Sequence, residues 1–514
     1  NIAIGFQSAK GITTGTNNVV IGYEALEAAD GAEHNNTVIG YNAGKNIEGD
    51  NADNNVLIGK DAGLGGNCTG DTGLTQNVVI GVQALDATST AALEACVVIG
   101  YQAGSAINND NSNGIVAIGH QAGASAESVT NTTLVGYAAG DALTTGSDNT
   151  ALGRHALGAL TTGGSNVAVG YNALASAADT ESGNVAIGNT AMGACDQGSD
   201  SNADIDANVC IGYNAGYGGD FGSANNNFIR NVVIGYNAMD GTGAHDTFDN
   251  VFIGYEAGGG SWTTAGSTGN IGIGSYVMDA AMNSGIDNIG IGRAALTDLT
   301  QGDYNIAIGN GAGADINTGT KNINIGSTAG EAMSSASENT NVGHEAGIDI
   351  TGNTNTCLGY RAGYQIVGGG QNVMIGAQSD VNTASFNNSI AIGFDIEGRA
   401  SNSVSIGNNS VEQAIWADGS TNFKMYLGDL ANGSQSSGMT INQGAEDNEI
   451  LTFKSSDIAH GITAITETDT YMRFLKSGPN DGGGRIDGLA DTGNRGMEIN
   501  GYYVSDDATR TTSA

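Results

Sequence analysis

The stretch Asn166-Val167-Ala168-Val169-Gly170-Tyr171-Asn172-Ala173-Leu174 is one copy of a pattern written 23 times within residues 1–407 of this 514-residue chain. The pattern is Asn-(Val/Ile/Thr)-x-(Ile/Val/Leu)-Gly-x-x-Ala-(Gly/Leu/Met). Successive motif glycines lie 14 to 24 residues apart, most often 17. A period in that range marks a solenoid, because one unit cannot bury its apolar side alone and must stack on its neighbours.

The residue three before each glycine is β-branched and the residue just before it is Ile, Val or Leu, in all 23 copies. Two such residues one apart share a face of a strand, so each copy reads as a short strand. The expectation is that this pair faces the interior of the coil. The mixed slot between them (Ala3, Val20, Leu57, Cys210, Gly272, Asn324, Ser405) is then expected on the surface or at a subunit seam.

Asn fills the slot four before the glycine in 18 of the 23 copies. Asn18, Asn36, Asn55, Asn77, Asn166, Asn184, Asn231, Asn250, Asn305 and Asn322 are therefore expected to form a corner ladder of amides about 4.8 Å apart. The motif glycine turns the chain without a Cβ. The position four after it is Gly in 11 copies and Leu or Met in 8, so a coil either bends there or adds an apolar plug. Variable loops such as 13–16, 193–207 and 240–249 absorb the changes in spacing on one rim. The fold class expected is all-β: a parallel β-solenoid of about 23 coils, on the order of 110 Å long.

Residues 408–514 break the period and are richer in aromatics, including Trp416, Phe423, Phe453, Tyr471 and Phe474. Strand-like runs at 423–427, 449–454 and 471–475 are separated by turn signals. The domains expected are a repeat rod at 1–407, a transition at 408–436 and a distal β-rich module at 437–514 that caps the open solenoid end. Asn1 already stands inside a copy, so further chain is expected upstream.

Sixteen basic against 53 acidic residues give a net charge of −37, which argues against nucleic acid or an anionic membrane as partner. No apolar run reaches the roughly 20 residues of a membrane span. Asp200, Asn202, Asp204 and Asp206 alternate as in calcium-binding loops but lack the Gly and Glu of an EF-hand, leaving a calcium site or a solvated acidic loop as the two readings. No other cofactor is indicated. Cys96, Cys210 and Cys357 fall in repeat slots and read as small apolar filler; Cys68 and Cys195 show no metal spacing.

The six histidines are scattered and signal no nucleophilic triad, so no catalytic residue is expected. The Gly-x-Gly pieces at 272–274 and 290–292 belong to the repeat rather than to a phosphate loop. An aromatic follows the motif glycine in 11 copies, among them Tyr23, Tyr41, Tyr171, Tyr213, Tyr236 and Tyr255. Such a column either stacks sugar rings or packs, sealing the coil edge or the seam between subunits.

The phrases Ser403-Val-Ser-Ile-Gly407 and Asn184-Val-Ala-Ile-Gly188 resemble the head repeats of trimeric autotransporter adhesins of the YadA type. That resemblance implies a left-handed β-roll and association of three chains. The longer form at 166–174 resembles repeats of phage and prophage tail-fibre proteins. Met439-Thr-Ile-Asn-Gln-Gly444, Leu451-Thr-Phe-Lys-Ser-Ser-Asp-Ile-Ala-His-Gly461 and Glu467-Thr-Asp-Thr-Tyr471 resemble segments of tail-fibre-like proteins. The function expected is a non-enzymatic structural fibre or adhesin, extracellular or on a virion surface. It would be a homotrimer acting as a rigid spacer, and its partner would be a cell-surface glycan or receptor. The rivals are a surface filament stacked end to end and a tailspike-like enzyme, whose paired carboxylates would project from neighbouring coils beside exposed aromatics.

Overall fold

A computed structural model describes residues 1–407 except 30, 48–51, 66–73, 88–92, 110–111, 197–203, 220–225, 244 and 263–265; beyond them it describes the strands at 414–417, 422–425, 449–454, 470–478 and 481–488. The chain divides into two compact units, Asn1–Asn408 and Asn409–Ala514. The described residues are all β and coil, with no helix.

The first unit is a parallel β-solenoid. One sheet of 23 strands runs through it, one strand per copy of the pattern. Most strands are three residues long, and pairing holds the repeat in register from coil to coil: Val167 faces Thr150 on one side and Val185 on the other. The segments around Gly272 and Gly290 are the strands Ile271–Ile273 and Ile289–Ile291 of this sheet. A second, four-stranded parallel sheet covers the wider coils at Ile205–Asp206, Phe228–Ile229, Thr247–Phe248 and Ser267–Thr268.

The strand faces are the reverse of the sequence expectation. In nearly every strand the middle residue is buried and its two β-branched or apolar neighbours are not, as in Val185-Ala186-Ile187. Ala168, Ala186, Cys210, Phe252, Asn324 and Cys357 point inward, and the Val/Ile pair points out. Periodicity alone identifies two faces but not which one is the core. Here the inside of the coil is narrow and already holds the Ala and the Leu, Met or Ile of the following turn, so the slot tolerates only what fits. The mixed composition records core packing rather than exposure.

The turn after each strand explains the rest of the pattern. Residues five before, two after and four after the motif glycine adopt left-handed backbone, as at Ser165, Asn172 and Leu174. A left-handed Leu costs about 1–2 kcal/mol. Burying its side chain returns roughly 1.5–3 kcal/mol, so the plug is tolerated. Where Gly stands instead, the side chain three residues on fills the space: Ile47 lies 3.1 Å from where a Cβ on Gly44 would stand. The motif glycine itself is fixed by stacking. A Cβ on Gly170 would sit 2.3 Å from the carbonyl oxygen of Gly188, so the column of glycines is what lets the coils close up.

The asparagine ladder is present and buried. The Oδ1 of Asn166 accepts both the backbone N–H (2.9 Å) and the Nδ2 (3.3 Å) of Asn184, whose Nδ2 also donates to Ile205 O at 2.7 Å. The same triad of bonds recurs through Asn231, Asn250, Asn305 and Asn322. Asn18, Asn36, Asn55 and Asn77 form an earlier run, which ends where the N–H of Cys96 donates to Asn77 Oδ1. Ile115 and Thr132 occupy the next two rungs.

In the second unit, Ala414–Ala417 pairs antiparallel with Asn422–Met425. Glu449–Lys454, Thr470–Gly478 and Asp481–Gly488 form a three-stranded antiparallel sheet. The switch from parallel to antiparallel pairing coincides with the loss of the repeat.

Candidate functional site

A second polar ladder runs beside the asparagines and was not read from the sequence. The residue six before the motif glycine offers its side chain to the backbone N–H of its counterpart one coil earlier. Ser182 N–H donates to Asp206 Oδ1 at 2.7 Å, Ile286 N–H to Asp303 Oδ1 at 2.9 Å and Ser337 N–H to Asn353 Oδ1 at 2.8 Å. His34 Nδ1 plays this part for Thr16 N–H at 3.0 Å. The signal was available as an excess of Asp, Asn, Ser and Thr at that position, hidden by its place in the variable loop.

This ladder bears on the calcium reading. Asp206 commits one carboxylate oxygen to Ser182 N–H, and Asp204 N–H donates to Asn227 Oδ1. Asp200 and Asn202 lie outside the described residues. Among the described residues no three His, Cys, Asp or Glu side chains converge as a metal would require.

The strand face turned outward is the largest apolar feature of the solenoid. Its two columns are the residues three before and one before the glycine, partly exposed along the length; Leu152, Ile273, Ile291, Ile308, Ile325, Leu358 and Ile392 are exposed, and Ile2, Ile4, Val404 and Ile406 at the two ends are the most open. The aromatic column follows the glycine on the same coils.

Tyr23, Tyr41, Tyr171, Tyr213, Tyr236 and Tyr255 are 43–49% exposed. Their faces are nonetheless occupied by one another. Phe6, Tyr23 and Tyr41 stack at 5.2 and 5.3 Å, and Tyr213, Tyr236 and Tyr255 at 5.0 and 5.4 Å. His120 lies between Tyr101 and Tyr137, and the Arg154 guanidinium between Tyr137 and Tyr171. A pyranose would therefore meet ring edges and hydroxyls along the column rather than open faces.

Acids gather beside one stack. Asp279 on one coil feels Glu256 and Asp240 on the two coils before it. Burial first, then these two carboxylates, push its pKa up to about 6. Tyr255 is pushed up to about 12, chiefly by the carboxylate of Glu256 against its hydroxyl. The strand slots hold no such acids; these come from the turns, one coil apart. On the first coils the same rim carries alternating charge instead, with Lys45 bonded to Glu24 and 3.8 Å from Glu27, and Lys10 3.6 Å from Glu27.

Cys96, Cys195, Cys210 and Cys357 are buried free thiols, and burial raises the pKa of each. Cys210 and Cys357 fill the inward strand slot, which fits the filler reading. Cys68 lies outside the described residues. No helix among the described residues is long and apolar enough to cross a membrane.

No protein-family model matches the chain, and no curated protein matches it in sequence.

Proposed function

We propose that the chain is a structural fibre or adhesin element, extracellular or virion-borne, whose solenoid is a non-enzymatic spacer formed by side-by-side association of three copies. The observation that carries this reading is the outward Val/Ile face. Over 23 strands at about 4.8 Å, two columns expose on the order of 1,000 Å² of apolar surface. A typical monomer's largest patch is about 300–600 Å², and a stable interface takes about 800 Å² from each partner. A second copy of the same face has the matching length and spacing. The seam thus lies on the Val/Ile columns and not on the mixed slot. The tail-fibre and YadA-type resemblance supports three copies, and the second unit, or the loop rim, would present the contact to a glycan or receptor.

Sedimentation equilibrium of the intact chain tests this, with three times 51.4 kDa expected. A monomer at micromolar concentration overturns the reading, and an open-ended series of masses replaces the trimer with the filament. Replacing Val232 and Ile234 by Glu on one strand is expected to weaken association without unfolding the coil.

The tailspike-like alternative is favoured by one observation, the Asp240, Glu256 and Asp279 group beside Tyr255. A carboxyl group with a pKa near 6 is suited to general-acid work. Release of reducing ends from acidic or neutral polysaccharides, lost in Asp279→Asn, would establish it; no release leaves the spacer.

A further inference from the structure

Two places in the aromatic column carry tyrosine on consecutive coils. Tyr23 and Tyr41 stack at 5.3 Å with planes 8° apart. Tyr213, Tyr236 and Tyr255 stack at 5.0 and 5.4 Å with planes 12° and 6° apart. Each ring is exposed, and each is held in position by the coil-to-coil backbone bonds Asn42 N–H to Tyr23 O, Asn237 N–H to Tyr213 O and Glu256 N–H to Tyr236 O. Elsewhere the column is interrupted: His120 separates Tyr101 from Tyr137, and Arg154 separates Tyr137 from Tyr171. Each tyrosine run also has a carboxylate against one phenol, Glu24 at Tyr23 and Glu256 at Tyr255.

We propose that these two stacks are oxidative modification sites, at which a peroxidase-type one-electron oxidant fed by hydrogen peroxide joins neighbouring tyrosines ring to ring and staples consecutive coils. Each phenol gives up one electron and one proton, the proton passing at Tyr23 and Tyr255 to the adjacent carboxylate. The two phenoxyl radicals pair to form one carbon–carbon bond between ring positions ortho to oxygen. Each ring then loses its ortho hydrogen as a proton while its oxygen regains one, restoring two phenols. The net loss is two electrons and two protons, which reduce one peroxide to two waters. Stacking brings the rings of each run face to face as radical partners, with Tyr276 also edge-on to Tyr255 at 5.3 Å, and the exposed edges leave the stack open to the oxidant. The product ties residues 18 to 23 positions apart into covalent rungs, a reinforcement available to a solenoid without a disulfide among its described cysteines.

The test is to oxidise the intact chain with a haem peroxidase and hydrogen peroxide, or with a photoexcited ruthenium complex and persulfate, and map cross-linked peptides by mass spectrometry. Tyr23–Tyr41, Tyr213–Tyr236 and Tyr236–Tyr255 links are expected, each lighter by two hydrogens, with biphenol fluorescence. Tyr41→Phe should abolish the first. Tyr236→Phe should abolish the other two, because Tyr213 and Tyr255 are then about 10 Å apart. Phe retains the stack, and circular dichroism checks that the solenoid is intact. The proposal is overturned if no biphenol forms while free tyrosine in the same tube couples. It is overturned equally if links survive in the Phe variants, if Tyr101, Tyr137 and Tyr171 couple as readily within a chain, or if denatured mass shows links only between chains.

Discussion

The early coils and the later coils of the solenoid meet the same stacking requirement with different side chains. From Asn149 to Asn372 every corner rung is an asparagine, each answering the N–H of the next. In the earlier part the ladder runs only to Asn77 and then passes through Cys96, Ile115 and Thr132 before it restarts. The rim charges differ in the opposite sense: Lys10, Glu27 and Lys45 alternate early, whereas Asp298, Asp315, Glu331 and Asp349 face one another later without a base between them. The first coils thus carry both paired charge and the asparagine corner, the stretch from Cys96 to Thr132 lacks the corner, and the later part is densely bonded there but gathers like charges on its rim.

The largest expected effect breaks the ladder where it is continuous. Asn305 donates its Nδ2 to Asn288 Oδ1 (3.1 Å) and Gly319 O (2.8 Å), and its Oδ1 takes both donors of Asn322 at 3.0 Å. Asn305→Ala leaves several of these buried groups without partners, at roughly 1–3 kcal/mol each, so a local loss of roughly 3–5 kcal/mol is expected. Cys96→Ala removes one small side chain from the interrupted stretch and should cost about 1 kcal/mol. Native-state hydrogen exchange reads both, since a long repeat array opens locally. Equal losses at the two sites would remove the distinction between the regions.

The repeat, the strand positions and the corner ladder were legible because Asn, β-branched residues and Gly each have one dominant physical use at that spacing. The inward face was not. Val185 and Ile187 carry more apolar surface than Ala186, and a reading by hydrophobicity sends them inside, yet it is Ala186 that is buried. Which face of an alternating strand is covered depends on what lies opposite it in the fold, and the alternation itself does not say. The acids around Asp279 were missed for a related reason. Asp240, Glu256 and Asp279 are far apart in sequence and meet only because two changes of loop length leave the turns in register.

Acidification sharpens the comparison next. Asp279 titrates at about 6 in the folded chain and near 3.8 when unfolded, so the folded state binds its proton more tightly. Its contribution to stability is therefore fully present below pH 3.8 and is lost as pH rises through 6. Asp380, also pushed up to about 6 by burial, behaves alike. Glu24 and Glu345 are held low by hydrogen bonds to Lys45 and Arg361, and lose stability only below the usual carboxylate range. Between pH 7 and 5 the coils around Asp279 should gain, by roughly 1 kcal/mol after allowance for its partial exposure, and the coils around Glu24 should not change. Exchange rates for the coils around 279 and around 24, compared at the two pH values, decide it. Slowing at both sites alike, or in Asp279→Asn as much as in the parent, would contradict the assignment.

The smallest effect mends the interrupted stretch. Thr132 is buried at a corner rung and spends its hydroxyl on Thr130 O, two residues back, at 2.9 Å. Asn149, one coil on, donates its Nδ2 to Gly163 O and supplies Oδ1 to Asn166 N–H. Thr132→Asn would place a second Oδ1 below Asn149, in reach of its N–H and Nδ2, as every rung of the later run does. One or two new bonds in a buried corner, less the lost Thr130 contact, should add about 1 kcal/mol. The gain should appear as slower exchange confined to the coils around 132 and 149. A loss would mean that the coils from Cys96 to Thr132 are shaped around their smaller and apolar corner residues, and that the interruption is a different packing solution rather than a missing bond.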